Sequence, residues 1–257
     1  SGSGASGGLS IMTRAAADMR FYTNGHTNER MRIDSSGNVG IGDSSPTSYA
    51  NSQKTLVVED SGSPAIALSD TGQTRDWFII AQGSGLDINY ADGGGSSSAS
   101  NVSNVINMDN SGHVTMPKQA AFSVEKNAIQ SNIGTSFETV TWETVVADQG
   151  SDFASNTFSA PVDGLYQFNV TLRLQDLDID QRYFQAMLTT ASSDNHEIGL
   201  IDPNFSGDLD FYHMNASFLI KLDANDTAYV RVRHSGGASQ TDISSGGDST
   251  FSGYLVA

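Results

Sequence analysis

The sequence has no cysteine, only 13 lysine and arginine residues, and no long hydrophobic run. The absence of cysteine excludes disulfides and thiolate metal sites. The basic residues face 29 acidic ones, so the net charge is −16 and the basic footprint of a nucleic-acid-binding protein is missing. Apolar runs stay well short of the roughly 18 residues of a membrane span. We therefore expect no nucleic-acid partner and no membrane insertion, while an acidic surface can hold divalent cations.

Hydrophobic residues make up 37% of the chain, and charged residues only 16%. Ser, Thr, Asn and Gly supply much of the rest, with 26 glycines. This composition is too poor in charge for ordinary disorder and too rich in Gly and Ser for a helical protein. It is typical of an all-β chain with many turns. Residues 1–8, SGSGASGG, are predicted to be a flexible linker or the scar of an expression vector.

An internal repeat organises the first half of the chain. MRIDSSGNVGI, residues 31–41, aligns without a gap to INMDNSGHVTM, residues 106–116. Both copies place alternating apolar residues on each side of a polar centre, which predicts strand, turn, strand. The Asp of each turn can bond back to the backbone, and the Gly accepts positive φ. A looser copy covers residues 57–68, and residues 77–90 predict another hairpin, with its turn at residues 82–85.

Residues 9–118 contain too little apolar material to close a core within one chain. Their apolar runs are short and are separated by polar Gly/Ser stretches. Isolated hairpins are marginal in water, and open strand edges invite aggregation. We therefore expect an elongated, intertwined trimeric β shaft here, with apolar side chains buried between copies. A small monomeric β domain is the alternative. The expected contact residues are Met31, Ile33, Val39 and Ile41.

Residues 119–257 have longer strands that are richer in aromatic residues. Their spacing is that of an all-β sandwich, and the region is long enough to bury a core of its own. The predicted strand segments are FETVTWETVVAD, GLYQFNVTLRL, RYFQAMLTTA, MNASFLIKLD, TAYVRVRHS and STFSGYLVA.

Two parts of the chain resemble known families. NERMRIDSSGNVGIGDSSP, residues 28–46, is similar to the repeat of bacteriophage tail fibres, those of marine phages in particular. FSAPVDGLYQFNVTL, residues 158–172, resembles the Phe-Thr-Ala-Pro-x-x-Gly-x-Tyr-x-Phe segment of the C1q/TNF-like head. ASFLIKLDANDTAYVRV, residues 216–232, and STFSGYLVA, residues 249–257, resemble later segments of the same head in the same order.

The second resemblance implies a ten-stranded C1q/TNF-like jelly roll that assembles as a compact homotrimer. In that fold Tyr166, Phe168, Phe251 and Tyr254 are core or trimer-contact residues. The collagen stalk of the animal relatives is missing, and the fibre-type repeat stands in its place. Together the resemblances imply an extracellular virion protein of the phage tail, joined to a proximal tail-fibre segment.

Calcium is the candidate ligand ion. Asp residues alternate in QDLDIDQR, residues 175–182, and divalent cations relieve the repulsion between such carboxylates. Some C1q-like heads bind calcium near an acidic residue just after this strand, and the resemblance implies that role for Asp176, with Asp194 as a partner across the next hairpin. The candidate set is Asp176, Asp178 and Asp194. A solvated acidic loop is the alternative, and the five histidines form no zinc motif.

Two loops, residues 200–213 and 233–249, are candidates for receptor contact. The first places aromatic residues among Asp and Asn, a combination that stacks on sugar rings. The same aromatics can instead pack at a subunit interface, and the second loop can be a simple turn. The candidate residues are Phe205, Asp208, Phe211, Tyr212, Ser239 and Asp242.

No enzymatic function is expected, because no Ser-His-Asp order or nucleophile motif is present. The expected function is that of a distal tail fibre, a homotrimeric receptor-binding protein that adheres to a host surface glycan or outer-membrane protein. Three sites on one assembly would raise its avidity. Two alternatives stay open: a structural or decoration fibre without a receptor role, and a fibre that cleaves polysaccharide.

Overall fold

The computed structural model describes residues 11–13, 15–46, 54–69, 75–83, 85–92, 102–191 and 194–257. Residues 1–8, the predicted linker, lie outside these. The chain divides into two compact units, Ser1–Pro117 and Lys118–Ala257. All regular structure in the described residues is β-strand, as predicted. Within the same residues no helix is present that could cross a membrane.

The first unit contains two sheets, whose strands pair antiparallel except for β3 and β4. The four-stranded sheet has the order β1-β2-β3-β4, with β1 Met19–Tyr22, β2 Glu29–Ile33, β3 Val39–Ile41 and β4 Leu56–Val58. The five-stranded sheet has the order β5-β6-β7-β8-β9, with β5 Ala65–Ser69, β6 Arg75–Gln82, β7 Gly85–Asp92, β8 Val102–Asp109 and β9 Val114–Thr115.

The two close copies of the repeat form hairpins, as predicted. Ile33 pairs with Val39 across the first turn, and Met108 pairs with Val114 across the second. The hairpin predicted in residues 77–90 is confirmed as β6 and β7. Short period-2 segments on each side of a turn therefore predicted which strands pair, and the structure adds their register.

The turns of the two copies share one set of hydrogen bonds. Oδ1 of Asp34 accepts the backbone N–H of Asn38 at 2.8 Å, and Oδ1 of Asp109 accepts that of His113 at 2.9 Å. The glycine three positions after each aspartate has positive φ, 86° in the first copy and 85° in the second. Side-chain capping and a left-handed glycine together close each turn.

The looser copy does not form a hairpin. Its strands belong to different sheets, since β4 pairs in parallel with β3 whereas β5 pairs with β6. Pro64 lies four residues after Asp60. At this position the two close copies have a backbone N–H that donates to the aspartate, and proline has no backbone N–H. Asp60 accepts the N–H of Gly62 at 2.7 Å instead. The strand-turn-strand pattern therefore does not extend to this segment.

The second unit is a sandwich of two sheets. The β15 sheet has the order β12-β10-β21-β15-β18, with β20 beside β15, and the β16 sheet has the order β13-β14-β19-β16-β17, with β11 beside β19. The strands of this unit are β10 Ala121–Glu125, β11 Glu138–Thr139, β12 Thr144–Asp148, β13 Phe153–Ala154, β14 Thr157–Ser159, β15 Gly164–Leu177, β16 Gln181–Thr190, β17 Asn195–Ile201, β18 Leu209–Leu222, β19 Thr227–Gly236, β20 Asp242–Ile243 and β21 Thr250–Leu255.

The chain crosses repeatedly between these two sheets. It passes from β15 to β16 and β17 in the other sheet, returns with β18, crosses again with β19 and ends with β21. This connectivity is that of a jelly roll. The described residues of this unit form twelve strands where the resemblance implies ten, and three of them, β11, β13 and β20, are only two residues long.

Aromatic rings fill the core between the two sheets. The ring of Phe122 on β10 lies 4.9 Å from that of Phe158 on β14 and 4.9 Å from that of Phe251 on β21. Gly253 faces this cluster, and a Cβ added there would lie 2.6 Å from a ring carbon of Phe168. Alternate residues of β15 point into the same core, as period-2 burial requires.

Candidate functional site

The longest strands define two ends of the second unit. At the start of β15, the N–H of Leu165 donates to the C-terminal residue's carbonyl at 2.7 Å, and Ala121 pairs with Tyr254 beside it. The start of β10 and residue Ala257 therefore both lie at this end, where the chain enters the unit. The 14 residues of β15 extend about 45 Å from it. The loops after β15, β17 and β19 lie together at the opposite end, which we call the distal end.

Asp208 joins the three distal loops. Its Oδ1 accepts the N–H of Ile179 at 3.1 Å, and its Oδ2 accepts the side-chain amide of Gln240 at 2.9 Å. The N–H of Ile179 and then the amide of Gln240 lower the pKa of this carboxyl. The predicted receptor residue Asp208 thus holds the loops in position, since its ionised form accepts both hydrogen bonds.

Asp178 has a structural role within the same loops. It is buried, and its Oδ1 accepts the N–H of Asp180 at 2.8 Å while its Oδ2 accepts that of Ala238 at 2.6 Å. A Cβ on Gly237 would lie 2.4 Å from Oδ2, so the close approach of the two loops requires glycine there.

The predicted calcium ligands are not brought together. Both carboxylate oxygens of Asp178 accept backbone N–H groups, and β15 ends before this residue, so the alternation behind the prediction stops there. Asp176 is exposed, and Asp194 lies beyond the far end of β16, about 30 Å along the strand. Within the part of the chain that the structure describes, no group of three His, Asp or Glu side chains could hold a metal.

The aromatic receptor candidates differ in exposure. Phe205 is 43% exposed in the loop after β17, and Phe211 is 53% exposed on β18. The guanidinium carbon of Arg173 lies 3.8 Å from the ring centroid of Phe211, and Arg173 also pairs with Asp248. Tyr212 is half-buried and packs against the core. Phe205 and Phe211 are therefore the candidates that present a ring to solvent.

Ser239 and Asp242 are engaged inside the unit. The hydroxyl oxygen of Ser239 lies 3.0 Å from Nε2 of the buried His234. Oδ1 of Asp242 accepts the N–H of Asn132 at 2.7 Å. These two candidates support the shape of the distal end, and each already has a protein hydrogen-bond partner.

A cleft of about 320 Å³ opens between β17 and β18. These strands are the edges of the two sheets on the same side of the sandwich. Leu200, Tyr212 and Met214 are among its lining residues. The cleft lies beside the distal end and adjoins the predicted receptor residue Tyr212.

The predicted core and contact residues fall into two groups. In the second unit, Tyr166, Phe168 and Phe251 are fully buried, whereas Tyr254 is 48% exposed. The hydroxyl of Tyr166 donates to the carbonyl of Val162 at 2.7 Å. In the first unit, none of the predicted contact residues is fully buried: Met31, Ile33 and Val39 are half-buried and Ile41 is exposed.

The five-stranded sheet presents an apolar face that the described residues of this chain leave open. One cross-strand row consists entirely of isoleucine, and its members on β5 and β6 are exposed, Ile79 to 43%. In the described part of this unit, only Val57 and Ala91 are buried hydrophobic residues. The side chains of this face are Ile66, Leu68, Trp77, Ile79, Leu86, Ile88, Tyr90, Ile106, Met108 and Val114.

One cluster of an aromatic and two arginine side chains was not predicted from the sequence. Phe137, Arg231 and Arg233 come together on the outward face of the β16 sheet. The signal was present in the segment TAYVRVRHS, because two arginines with one residue between them share a face of a strand. Phe137 could not be found in this way, since it lies almost a hundred residues earlier in the chain.

Residues 121–256 match the family described as C1q domain, which is more than half of the chain. The chain belongs to the C1q domain family. The C1q domain is the second unit, and the family match supports the jelly roll described above. C1q-type domains are typically binding modules rather than enzymes, and the comparisons indicate no enzyme family.

Several solved structures are similar to just over half of this chain. The globular domain of zebrafish complement 1qA protein has a TM-score of 0.40 and 17% identity, over 54% of this chain and 98% of its own. Murine APRIL at pH 8.5 has a TM-score of 0.39 and 12% identity, over 55% of this chain and 100% of its own. Eiger TNF from S. frugiperda has a TM-score of 0.41 and 14% identity, over 55% of this chain and 94% of its own. No curated protein sequence matches the chain.

Proposed function

We propose that this chain is the distal part of a phage tail fibre that adheres to a host surface receptor, with a glycan as the preferred receptor class. In this proposal the first unit is a trimeric β shaft and the C1q domain is the adhesive head. The similarity of residues 28–46 to phage-fibre repeats supports the viral setting, and membership of a family of binding modules supports adhesion. The mechanism is non-covalent, with three weak sites acting together.

The open apolar face of the five-stranded sheet supports the proposed homotrimer. A single copy leaves Ile66, Trp77 and Ile79 in water, although burial is worth about 25 cal/mol per Å² of apolar surface. Large exposed apolar patches mark interaction sites in soluble proteins. Two further copies of the same chain would cover this face and close the edges of the sheet.

The distal end of the C1q domain supports the proposed adhesion to a receptor. Phe205 and Phe211 expose rings at the end of the C1q domain opposite to the chain's point of entry. Asp208 holds the neighbouring loops together through two hydrogen bonds. Rigid aromatic rings beside polar groups suit sugar stacking, because little conformational freedom is lost on binding.

The assembly is tested by light scattering on the purified chain. The single chain has a mass of 27.2 kDa, and we expect about three times this value. Ile79→Asp places a charge in the middle of the apolar face and should shift the mass toward that of one chain. Ser111→Asp adds the same charge at an exposed turn and should leave the mass unchanged. A native mass equal to one chain would contradict the trimer.

Adhesion is tested by incubating the protein with host cells and with isolated surface glycans. We expect binding without turnover, weakened by Phe205→Ala or Phe211→Ala. Leu165→Ala, an exposed apolar residue at the opposite end, is the matched control and should bind normally. Absence of binding would favour a structural or decoration fibre, and release of oligosaccharide would favour a fibre that cleaves polysaccharide.

A further inference from the structure

Two arginines on the outward face of the β16 sheet stack on one aromatic ring. The guanidinium carbon of Arg231 lies 4.2 Å from the ring centroid of Phe137, and that of Arg233 lies 4.4 Å from it. Arg233 is also 5.6 Å from the ring centroid of Tyr183. Arginine over an aromatic face is held by electrostatic attraction and flat contact. The shared ring therefore keeps two positive charges close together.

Within the described residues, neither arginine pairs with a carboxylate. Nη2 of Arg231 donates to the side-chain oxygen of Asn195 at 2.7 Å, and Nε of Arg233 donates to that of Gln185 at 3.1 Å. Nε of Arg231 is buried and has no hydrogen-bond partner among these residues. Carboxylates pair with four other arginines, Arg20, Arg32, Arg75 and Arg173, whereas among the described residues Arg30 and Arg182 also have no carboxylate ion pair.

Two carboxylates of the same sheet hydrogen-bond to other groups. Oε1 of Glu138 accepts the N–H of Gly134 at 2.6 Å, and Oε2 of Glu197 accepts the side-chain amide of Gln185 at 3.1 Å. In a chain with a net charge of −16, these two adjacent guanidinium groups have no direct ion pair, and the amide of Gln185 lies between Arg233 and Glu197. An external anion could supply the ion pair that the described residues do not.

We propose that Arg231 and Arg233 bind the carboxylate or sulfate group of an acidic saccharide. The two terminal nitrogens of Arg233 form a fork that matches two oxygens of such a group, and no described residue accepts a hydrogen bond from them. Arg231 lies two positions away on the same face of β19, about 7 Å along the strand, so both can reach one ligand. The half-buried ring of Tyr183 offers a surface for the sugar.

This site goes beyond the proposed function. It lies in the middle of the β16 sheet, whereas the adhesive rings Phe205 and Phe211 lie toward the distal end. It also needs only one copy of the chain. Failure of adhesion through the distal end would therefore not contradict this site, and failure of anion binding here would not contradict adhesion through the distal end.

Calorimetric titration of the full chain tests the site, with galacturonate and sulfate as ligands and galactose as the uncharged control. The titration is run at about 0.15 M salt, where a screening length of about 8 Å suppresses repulsion by the acidic chain. We expect the anions to bind and galactose to bind at least tenfold more weakly. Arg231→Gln with Arg233→Gln should lower the affinity for galacturonate at least tenfold. Arg182→Gln, which removes an exposed arginine of the same sheet, should leave it unchanged.

A second variant separates binding from folding. Arg233→Lys keeps the charge and loses the planar fork, so it should weaken galacturonate binding while the melting temperature stays the same. Equal affinity in the wild type and the double glutamine variant would overturn the proposal, as would the absence of binding by both anions. Tighter binding of poly-glutamate than of polygalacturonate would contradict the saccharide class.

Discussion

The ammonium nitrogen of Lys126 lies 3.3 Å from Oε1 of Glu143, and the lysine side chain has no exposure to solvent. The same nitrogen donates to the carbonyl oxygen of Thr141 at 2.9 Å. Burial lowers the pKa of Lys126, and Glu143 opposes this effect. Partial burial acts to raise the pKa of Glu143, but the N–H of Asn127, the hydroxyl of Thr141, the N–H of Ala128 and the charge of Lys126 lower it to about 2. The pair joins the segment after β10 to the segment before β12.

The Glu143 carboxylate should make the C1q domain sensitive to acid. Its folded-state pKa of about 2 lies below the ordinary value of 4.5, so its contribution to stability is fully present above pH 4.5 and is lost as the pH falls toward 2. Glu143→Gln should flatten the dependence of the unfolding free energy on pH within this window. Denaturant titrations at a series of pH values measure it, with exposed Asp202→Asn as the control. Equal slopes in the wild type and Glu143→Gln would contradict the assignment.

The left-handed glycine of the repeat turn should resist substitution. Gly112 has φ +85°, and a Cβ there meets no atom within 4 Å, so Gly112→Ala should cost about 1–2 kcal/mol through the backbone alone. Gly83 in the neighbouring turn also has open space but no positive φ in the left-handed range. Gly83→Ala is therefore the matched control and should leave the melting temperature unchanged. A similar loss in both variants would argue against backbone strain as the cause.

Gly253 should be intolerant of substitution for a different reason. A Cβ at this position would lie 2.6 Å from Phe168 and 2.8 Å from Phe122, both of which are buried. We expect Gly253→Ala to destabilise the C1q domain by about 1–3 kcal/mol through overpacking. Gly207→Ala, in an open loop with no atom within 4 Å, is the control. Chemical denaturation followed by tryptophan fluorescence measures the difference, and an unchanged midpoint for Gly253→Ala would contradict the packing account.

Removal of calcium should leave the C1q domain unchanged. The two oxygens of Asp178 accept backbone N–H groups, so Asp178→Ala should destabilise the domain by about 1–3 kcal/mol whether or not calcium is present. Thermal melts with added calcium and with a chelator measure this. A melting temperature that rises with calcium in the wild type and not in Asp178→Ala would instead restore the predicted metal site.

The confirmed predictions were based on local sequence patterns. Alternation in GLYQFNVTL identifies the buried face of β15, because every second side chain of a strand points the same way. The turn of the repeat was predictable from Asp34 and the glycine that follows it, since the capping hydrogen bond from Asn38 to Asp34 spans only five residues. Both patterns depend on neighbours in the chain.

The features that escaped prediction depend on contacts between distant segments. Asp178 meets Ala238 across 60 residues, so its burial could not be seen from QDLDIDQR alone. Tyr254 is exposed although Phe251 is buried, because an odd separation along β21 places them on opposite faces. Lys126 is buried only because Thr141 and Glu143 are brought to it by the fold.

The turn of each repeat hairpin is capped by a hydrogen bond that arises within the turn itself. Asp34 and Asp109 do the same work in two different sheets, with Asn38 in one and His113 in the other at the position that is capped. The capping bond is therefore the same whichever of the two sheets the hairpin joins. Gene duplication can therefore add further copies of the turn to a sheet without a new capping arrangement for each copy.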